Sequence, residues 1–152
     1  MINNQLHQHQ EFMPSQIEIE SIVQALQTLR AFEFSSLYVI AFLRYCVDFY
    51  LAHESRLVKI EATLTTTRLL SSLISTLRTQ DSRSLISIIS CALRKLLICS
   101  IIDYEPDVRY HVLNSLDNDT RFNMFVSLPE NLNILFMCVR DEKVKLRELS
   151  AS

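Results

Sequence analysis

The chain of 152 residues contains no glycine. Ordinary proteins use about 7%, and several structures that need a tight or close backbone depend on it. Phosphate-cradling loops, dinucleotide fingerprints and nucleophile elbows place glycine where the chain turns sharply or touches a ligand. The favoured two-residue hairpins need it as well. A chain without glycine is steered away from these and toward helices joined by short polar turns. Three prolines and long stretches of Leu, Ile, Ser, Thr and Arg agree with that. The expected class is all-α.

The length is that of one domain or of three to four helical repeats. An apolar share of 49% supports a sizeable core. The net charge of -2 gives no electrostatic reason to expect nucleic acid. Cys46, Cys91, Cys99 and Cys138 lie inside apolar runs without C-x-x-C spacing, as free, buried cysteines do. No signal-peptide pattern accompanies them, so a disulfide framework is not expected. Two stretches, 37–52 and 84–102, are apolar enough to raise the question of a membrane. Arg44 and Asp48 interrupt the first at i,i+4 spacing and Arg94-Lys95 the second. Both are expected as helices buried between neighbours, with no direct membrane insertion.

Residues 1–14 are rich in Asn, Gln and His without apolar periodicity, and are expected to form a disordered tail. Ser15 followed by Glu18 is a capping box, and Ile19, Ile22, Val23, Leu26 and Leu29 then fall on one helical stripe. Further helices are expected over 36–52, 56–77, 84–100, 106–116, 120–126 and 129–139, with a last one after Arg140-Asp141-Glu142. That last helix is expected to be a truncated repeat, so the chain resembles a piece of something longer.

One short pattern recurs. Val108-Arg109-Tyr110-His111-Val112 follows the acidic turn Asp103-Tyr104-Glu105 and the helix-starting Pro106. Val58-Lys59-Ile60-Glu61-Ala62 and Leu146-Arg147-Glu148-Leu149-Ser150 repeat its order: apolar, basic, two variable residues, small or apolar. The anchors Val58, Val108 and Leu146 lie 50 and 38 residues apart, which brackets the period of HEAT-type helical repeats. Asp103 and Asp141 stand five residues before their anchors, and His53 fills that place in the first unit. Such an acid and the Arg or Lys of a following helix can pair with each other or with a neighbouring turn. The expected ladder joins Asp103 with Arg109 and Asp141 with Arg147, with Lys59 as the first unit's cation. If partly exposed, each pair contributes on the order of 1 kcal/mol, so Arg109→Ala should cost no more than that.

No catalytic set emerges from the remaining residues. The carboxylates Asp48, Glu61, Asp103 and Asp141 are scattered over turns and helix surfaces. His111 has no serine or cysteine nucleophile at a recognisable spacing, and His7 and His9 lack the further ligands of a metal site. The phenylalanines lie among leucines, as core residues do. No catalytic, cofactor-binding or metal-binding residue is expected.

Ordered along the chain are Ala25-Leu26-x-x-Leu29-x-x-Phe32-Glu33-Phe34, Glu61-Ala62 with Arg68-Leu69-Leu70, and Lys95-Leu96-Leu97. Pro106-Asp107-Val108-Arg109-Tyr110-x-Val112-Leu113-x-Ser115-Leu116-Asp117 follows, then Arg121-Phe122, Glu130-Asn131-Leu132 with Leu135-Phe136, and Leu146-Arg147-Glu148-Leu149. Together, over residues 20 to 150, these resemble the N-terminal HEAT-repeat region of target of rapamycin (TOR) kinases. The family carries glycines in several connectors where this chain has none, and 76–84 matches poorly. The resemblance implies an α-solenoid of HEAT-like antiparallel helix pairs over 15–152. It further implies a scaffold segment of a serine/threonine kinase in nutrient and growth signalling. The kinase lobe, with its ATP and Mg, would lie elsewhere in the parent. Implied partners are protein subunits of a TOR-type complex in a dimeric parent. The implied location is cytoplasmic, peripheral at endomembranes through those partners. The alternatives are a free-standing HEAT or armadillo-like adapter and a small helical enzyme or ligand-binding bundle.

Overall fold

A computed structural model describes residues 15–33, 36–77, 83–139 and 148. The expected tail over 1–14, the loop at 78–82, and Asp141 and Arg147 with the final helix lie outside the described residues. The chain forms α1 (Gln16–Ala31), α2 (Ser36–Tyr45) continued by a π turn (Cys46–Tyr50), α3 (Arg56–Leu77) and α4 (Arg83–Ile102). After these come α5 (Pro106–Asp117), a 3-10 turn (Thr120–Phe122), α6 (Asn123–Val126) and α7 (Pro129–Cys138). The fold is all-α, with no strand among the described residues.

Local chemistry sets the starts of these helices. At α1 the Ser15 hydroxyl accepts the Glu18 N–H at 3.3 Å, and the Glu18 carboxylate accepts the Ser15 N–H at 2.7 Å. Pro106 and Pro129 open α5 and α7 at a position where the missing donor would have had no helical partner. Helix ends reflect the absence of glycine. The usual C-terminal cap turns through the left-handed region, which favours glycine. Here no described residue has a positive φ. The chain leaves α1 at Phe32 directly into extended backbone. It leaves α5 at Asn118 while still right-handed, with the Asn118 amide capping Asn114 O at 2.7 Å.

The cross-helix contacts give the topology. Between α3 and the following unit they join Arg56 to Asp107, Lys59 to Asp103, Ser71 to Asp119 and Ser75 to Arg121. The start of α3 meets residues 103 and 107 and its second half meets 119 and 121, so α3 and α5 run in the same direction. Between α1 and α3, Leu26 meets Thr65, Arg30 meets Glu61, and Glu33 meets Arg68. These contacts seat α1 against the first half of α3. In the second layer Asp48 pairs with Lys95, and α2 with its π turn packs against α4. The chain turns back between layers, since α4 ends at Asp103 beside the first turn of α3. Antiparallel pairs are thus stacked: α1, α3 and α5 form one layer, α2, α4 and α7 the other. This is a helical-repeat arrangement, with α3 and α4 at its centre.

The seam between the layers is the core. Leu70, Leu73, Ile89, Leu93, Leu96, Leu97 and Val112 are fully enclosed there. Each contributes about 1.5–3 kcal/mol of apolar burial. The stripe on α1 faces it as the spacing predicts, with Leu26 buried and Ile19, Ile22, Val23 and Leu29 half-buried. By length and composition α4 is apolar enough to cross a bilayer, the Arg94-Lys95 interruption notwithstanding. In this fold α4 packs on α3, α5 and α7, with Leu85, Ile89, Leu93, Leu96 and Leu97 buried and Ile86, Ile98 and Ile102 exposed.

One local feature differs from the expected pattern. The helix over 36–52 is not continuous, because Leu51 N–H bonds back five residues to Cys46 O at 3.0 Å. The widened turn sets Asp48 against Lys95 and stacks Phe49 on Tyr45, with ring centres 5.8 Å apart. Burial pushes the enclosed Cys46 thiol up to about 12, offset only in part by its contact with Thr66, which suits a packing residue rather than a nucleophile. The helix expected over 56–77 is found as α3, and it encloses Thr63 and Thr65-Thr66-Thr67.

Candidate functional site at the joint between helix pairs

The recurring Lys/Arg and Asp positions meet where α3 packs against the α4–α5 turn. The Lys59 ammonium reaches the Asp103 carboxylate at 2.9 and 3.1 Å. It also sits 4.2 Å from the centre of the Tyr104 ring, a cation–π contact. Asp103 Oδ1 accepts the Glu105 N–H at 2.9 Å, which shapes the entry into α5. The Arg109 guanidinium donates to the Asp103 carbonyl at 2.7 Å and so ties α5 to its own turn. Around this centre, Arg56 pairs with Asp107 at 2.6 Å, and the Tyr104 hydroxyl donates to the Glu54 carbonyl at 3.5 Å.

This geometry differs from the expected ladder in two respects. The Asp103 carboxylate is taken by Lys59 of the preceding pair, while Arg109 holds the backbone oxygen of the same residue. The spacing of the motif shows which residues recur, but not whether a cation reaches forward or back. The joint is also buried rather than partly exposed: side-chain exposure is 5% at Lys59 and 9% at Asp103, and Arg109 is 7% exposed. The apolar anchors beside them, Val58 and Val108, draw the polar groups inward, so the low surface value for Arg109→Ala does not apply. Asp141 and Arg147 lie outside the described residues.

A second joint, further along α3, was not read from the sequence. Asp119 accepts from Arg121 Nε and Arg121 NH2, both at 2.8 Å, and from the Ser71 hydroxyl. Its Oδ1 also accepts the Arg121 N–H at 3.1 Å, capping the 3-10 turn. Arg121 NH1 then reaches the Ser75 hydroxyl at 3.3 Å. The Arg121 hydrogen bonds, with Ser71, hold the Asp119 carboxyl down to about 2. The signal was present: Ser71 to Asp119 and Lys59 to Asp103 are 48 and 44 residues apart, close to the repeat spacing.

The clefts among the described residues are lined in part by paired charges. One of about 420 Å³ brings Arg68 and Arg121 beside Ser72, Ser75 and Thr76. Asp119 holds Arg121, and Glu33 lies 3.9 Å from Arg68, so the cations are largely balanced. His111, weighed as a base, packs its ring edge-on to Tyr110 at 5.8 Å. Among the described residues no three His, Cys, Asp or Glu side chains gather as a metal site.

No protein-family model matches the chain. Curated proteins do. The serine/threonine-protein kinase mTor of Drosophila melanogaster is 34% identical over 129 residues, covering 84% of this chain and 5% of that protein. The serine/threonine-protein kinase tor1 of Schizosaccharomyces pombe is 30% identical over 131 residues, covering 86% of this chain and 5% of that protein. The chain belongs to the TOR kinase family, as the counterpart of one short segment. It spans 5% of the length of the curated TOR relatives it matches. The buried joint is therefore a structural feature of a TOR-related segment, and what the rest of a TOR kinase does is not carried by these residues alone.

Proposed function

We propose that this segment is a HEAT-type scaffold element in the N-terminal region of a TOR-type serine/threonine kinase, and that it acts by shape and surface. The observation that carries the reading is the stacking register itself. Parallel helices α3 and α5 are joined at two buried or half-buried polar contacts, 59–103 and 71–119, which fix their register. Stacked repeats present long continuous faces to protein partners. The outer faces here keep large apolar groups in the open, Tyr38, Tyr45 and Phe49 along α2 and Phe136 and Met137 on α7. Clustered aromatics of this kind anchor protein interfaces. ATP and Mg would act in the kinase lobe of the parent, and the partners would be protein subunits of a TOR-type complex in a dimeric, cytoplasmic parent.

The test uses the full-length parent kinase. Tyr38→Ser, Tyr45→Ser and Phe49→Ser introduced together should reduce co-purification of accessory subunits, while phosphotransfer to a free peptide persists. Unchanged subunit retention, or loss of peptide phosphorylation with retention intact, would overturn the scaffold reading. ATP turnover by the isolated 152-residue chain would favour the small-enzyme alternative.

A further inference from the structure

Charge is divided unevenly between the two layers. Helices α1, α3 and α5 carry five acids and five cations, in balance. The pair formed by α2, with its π turn, and α4 carries four cations, Arg44, Arg83, Arg94 and Lys95, against one acid, Asp48. Lys95 takes that acid. Arg44 and Arg94 are exposed and, among the described residues, meet no acid. A chain of net charge -2 thus turns a positive face outward at α2 and α4.

The same face is apolar. Tyr45 and Phe49 stack on one another yet remain 60% and 64% exposed, so the core makes little use of either ring. Tyr38, two helical turns before Tyr45, stands on the same side of α2 and is equally open. Beside these rings a groove of about 160 Å³ lies between α2 and α4. Leu43, Val47 and Ala92 are enclosed at its floor, and Arg44, Asp48 and Lys95 are exposed at its rim. Cys91 lines it too, and Arg94 stands one turn further along that edge of α4.

We propose that this face docks an acidic amphipathic helix of a protein partner, whose apolar side chains enter the groove and cover Tyr45 and Phe49 while its flanking Asp or Glu residues pair with Arg44 and Arg94. The inference rests on the scaffold reading above and names the chemistry of the partner. Charge decides the partner's sign, since a basic segment would bring its own cations against two unpaired arginines. Shape decides its class. The apolar floor lies beneath a charged rim, where the anchors of a helix at i, i+3, i+4 and i+7 reach it. A bilayer surface would meet only the rim, with its two unpaired arginines, whereas lipid-binding patches gather about four to eight cations.

The experiment offers the 152-residue chain a displayed library of helical peptides. Each peptide is about 15 residues long, roughly four turns. All keep leucine at i, i+3, i+4 and i+7, and their flanking positions vary among Glu, Lys and Ser. Retained peptides should be enriched in Glu. A purified acidic one should bind about tenfold more weakly to Arg44→Glu with Arg94→Glu, and also to Tyr45→Ser with Phe49→Ser. Should the double reversal disturb the circular dichroism spectrum, Arg44→Gln with Arg94→Gln takes its place and should weaken binding in the same direction. Enrichment in Lys or Ser, no retained peptide at all, or binding that the arginine variants leave unchanged overturns the proposal. Retention on vesicles of phosphatidylcholine with phosphatidylserine, in place of any peptide, overturns it in favour of a lipid surface. The scaffold reading has its separate readout in the parent kinase. Subunits lost with the aromatic changes but kept with the arginine reversals would leave that reading standing and remove the acidic partner.

Discussion

Replacing Lys59 with alanine strands the Asp103 carboxylate in a place where its side chain is 9% exposed. Removing one partner of a buried pair leaves an uncompensated charge and typically costs about 3–5 kcal/mol. Lys59→Ala is expected near the lower end, about 3 kcal/mol by denaturant titration, because Glu105 N–H still solvates the carboxylate. Lys59→Met with Asp103→Asn should cost clearly less than the two single changes summed, since both charges leave together. Strict additivity would mean the two side chains are not coupled. Arg109→Ala is expected to cost about 2 kcal/mol, because it orphans the enclosed Asp103 carbonyl as well as removing packed methylenes. A loss within about 1 kcal/mol would return Arg109 to the role of a surface residue. Asp119 offers a test through pH. Its carboxyl is held at about 2 against an ordinary 3.8. A carboxyl lowered on folding contributes fully above its unfolded value and loses that contribution as pH falls through the folded one. The gap in stability between the native chain and Asp119→Asn, at most about 2 kcal/mol above pH 5, should therefore close between pH 4 and 2. A constant gap over that range would show that Asp119 acts by shape and not by charge.

Among the elements, α3 is the one that the fold makes and the local sequence does not. Threonine loses side-chain freedom in a helix, and α3 carries four of them over 63–67. All four are enclosed, and Thr65 donates across to the Leu26 carbonyl at 3.2 Å while Thr67 bonds back to Thr63 O at 3.0 Å. A peptide of Arg56–Leu77 alone is expected to be only weakly helical in water by circular dichroism, since its neighbours supply the stabilisation. A strongly helical spectrum would show that α3 needs none of them. The same contrast explains what the residues disclosed. Starts and stripes were legible where side chains act within one turn: the Ser15 box, Pro106, Pro129 and the α1 stripe. The repeat was legible too, because Val58 and Val108 mark it at a fixed spacing. The π turn at Cys46–Tyr50 was not, because Asp48 meets its partner Lys95 on α4, 47 residues away. The direction in which Lys59 reaches was hidden for the same reason: the acid it meets, Asp103, lies 44 residues away, and only packing brings the two together.

At the scale of the whole molecule, the pattern of contact is nearest-neighbour. Among the described residues α1 rests on α3, α3 on α5, and α1 and α5 share no extended contact. Stability in such stacks is roughly a sum of unit terms and interface terms between adjacent units, so the ends can be removed one at a time. A closed bundle behaves otherwise, since each helix there completes the same core. Deleting residues 1–33 removes α1 with its half-buried stripe and the Arg30–Glu61 and Thr65–Leu26 links. Hydrogen exchange should then quicken along the α1-facing side of α3, around Glu61 to Arg68. Amides of α4, α5 and α7 should keep most of their protection, because the joints at Lys59–Asp103 and Ser71–Asp119 lie on the opposite interface of α3. Uniform loss of protection through α5 and α7 would mean that the layers fold as one closed core. Selective loss on α3 fits a stack whose polar joints set register pair by pair, and the truncated chain should then still show its Lys59–Asp103 coupling in a double-mutant cycle.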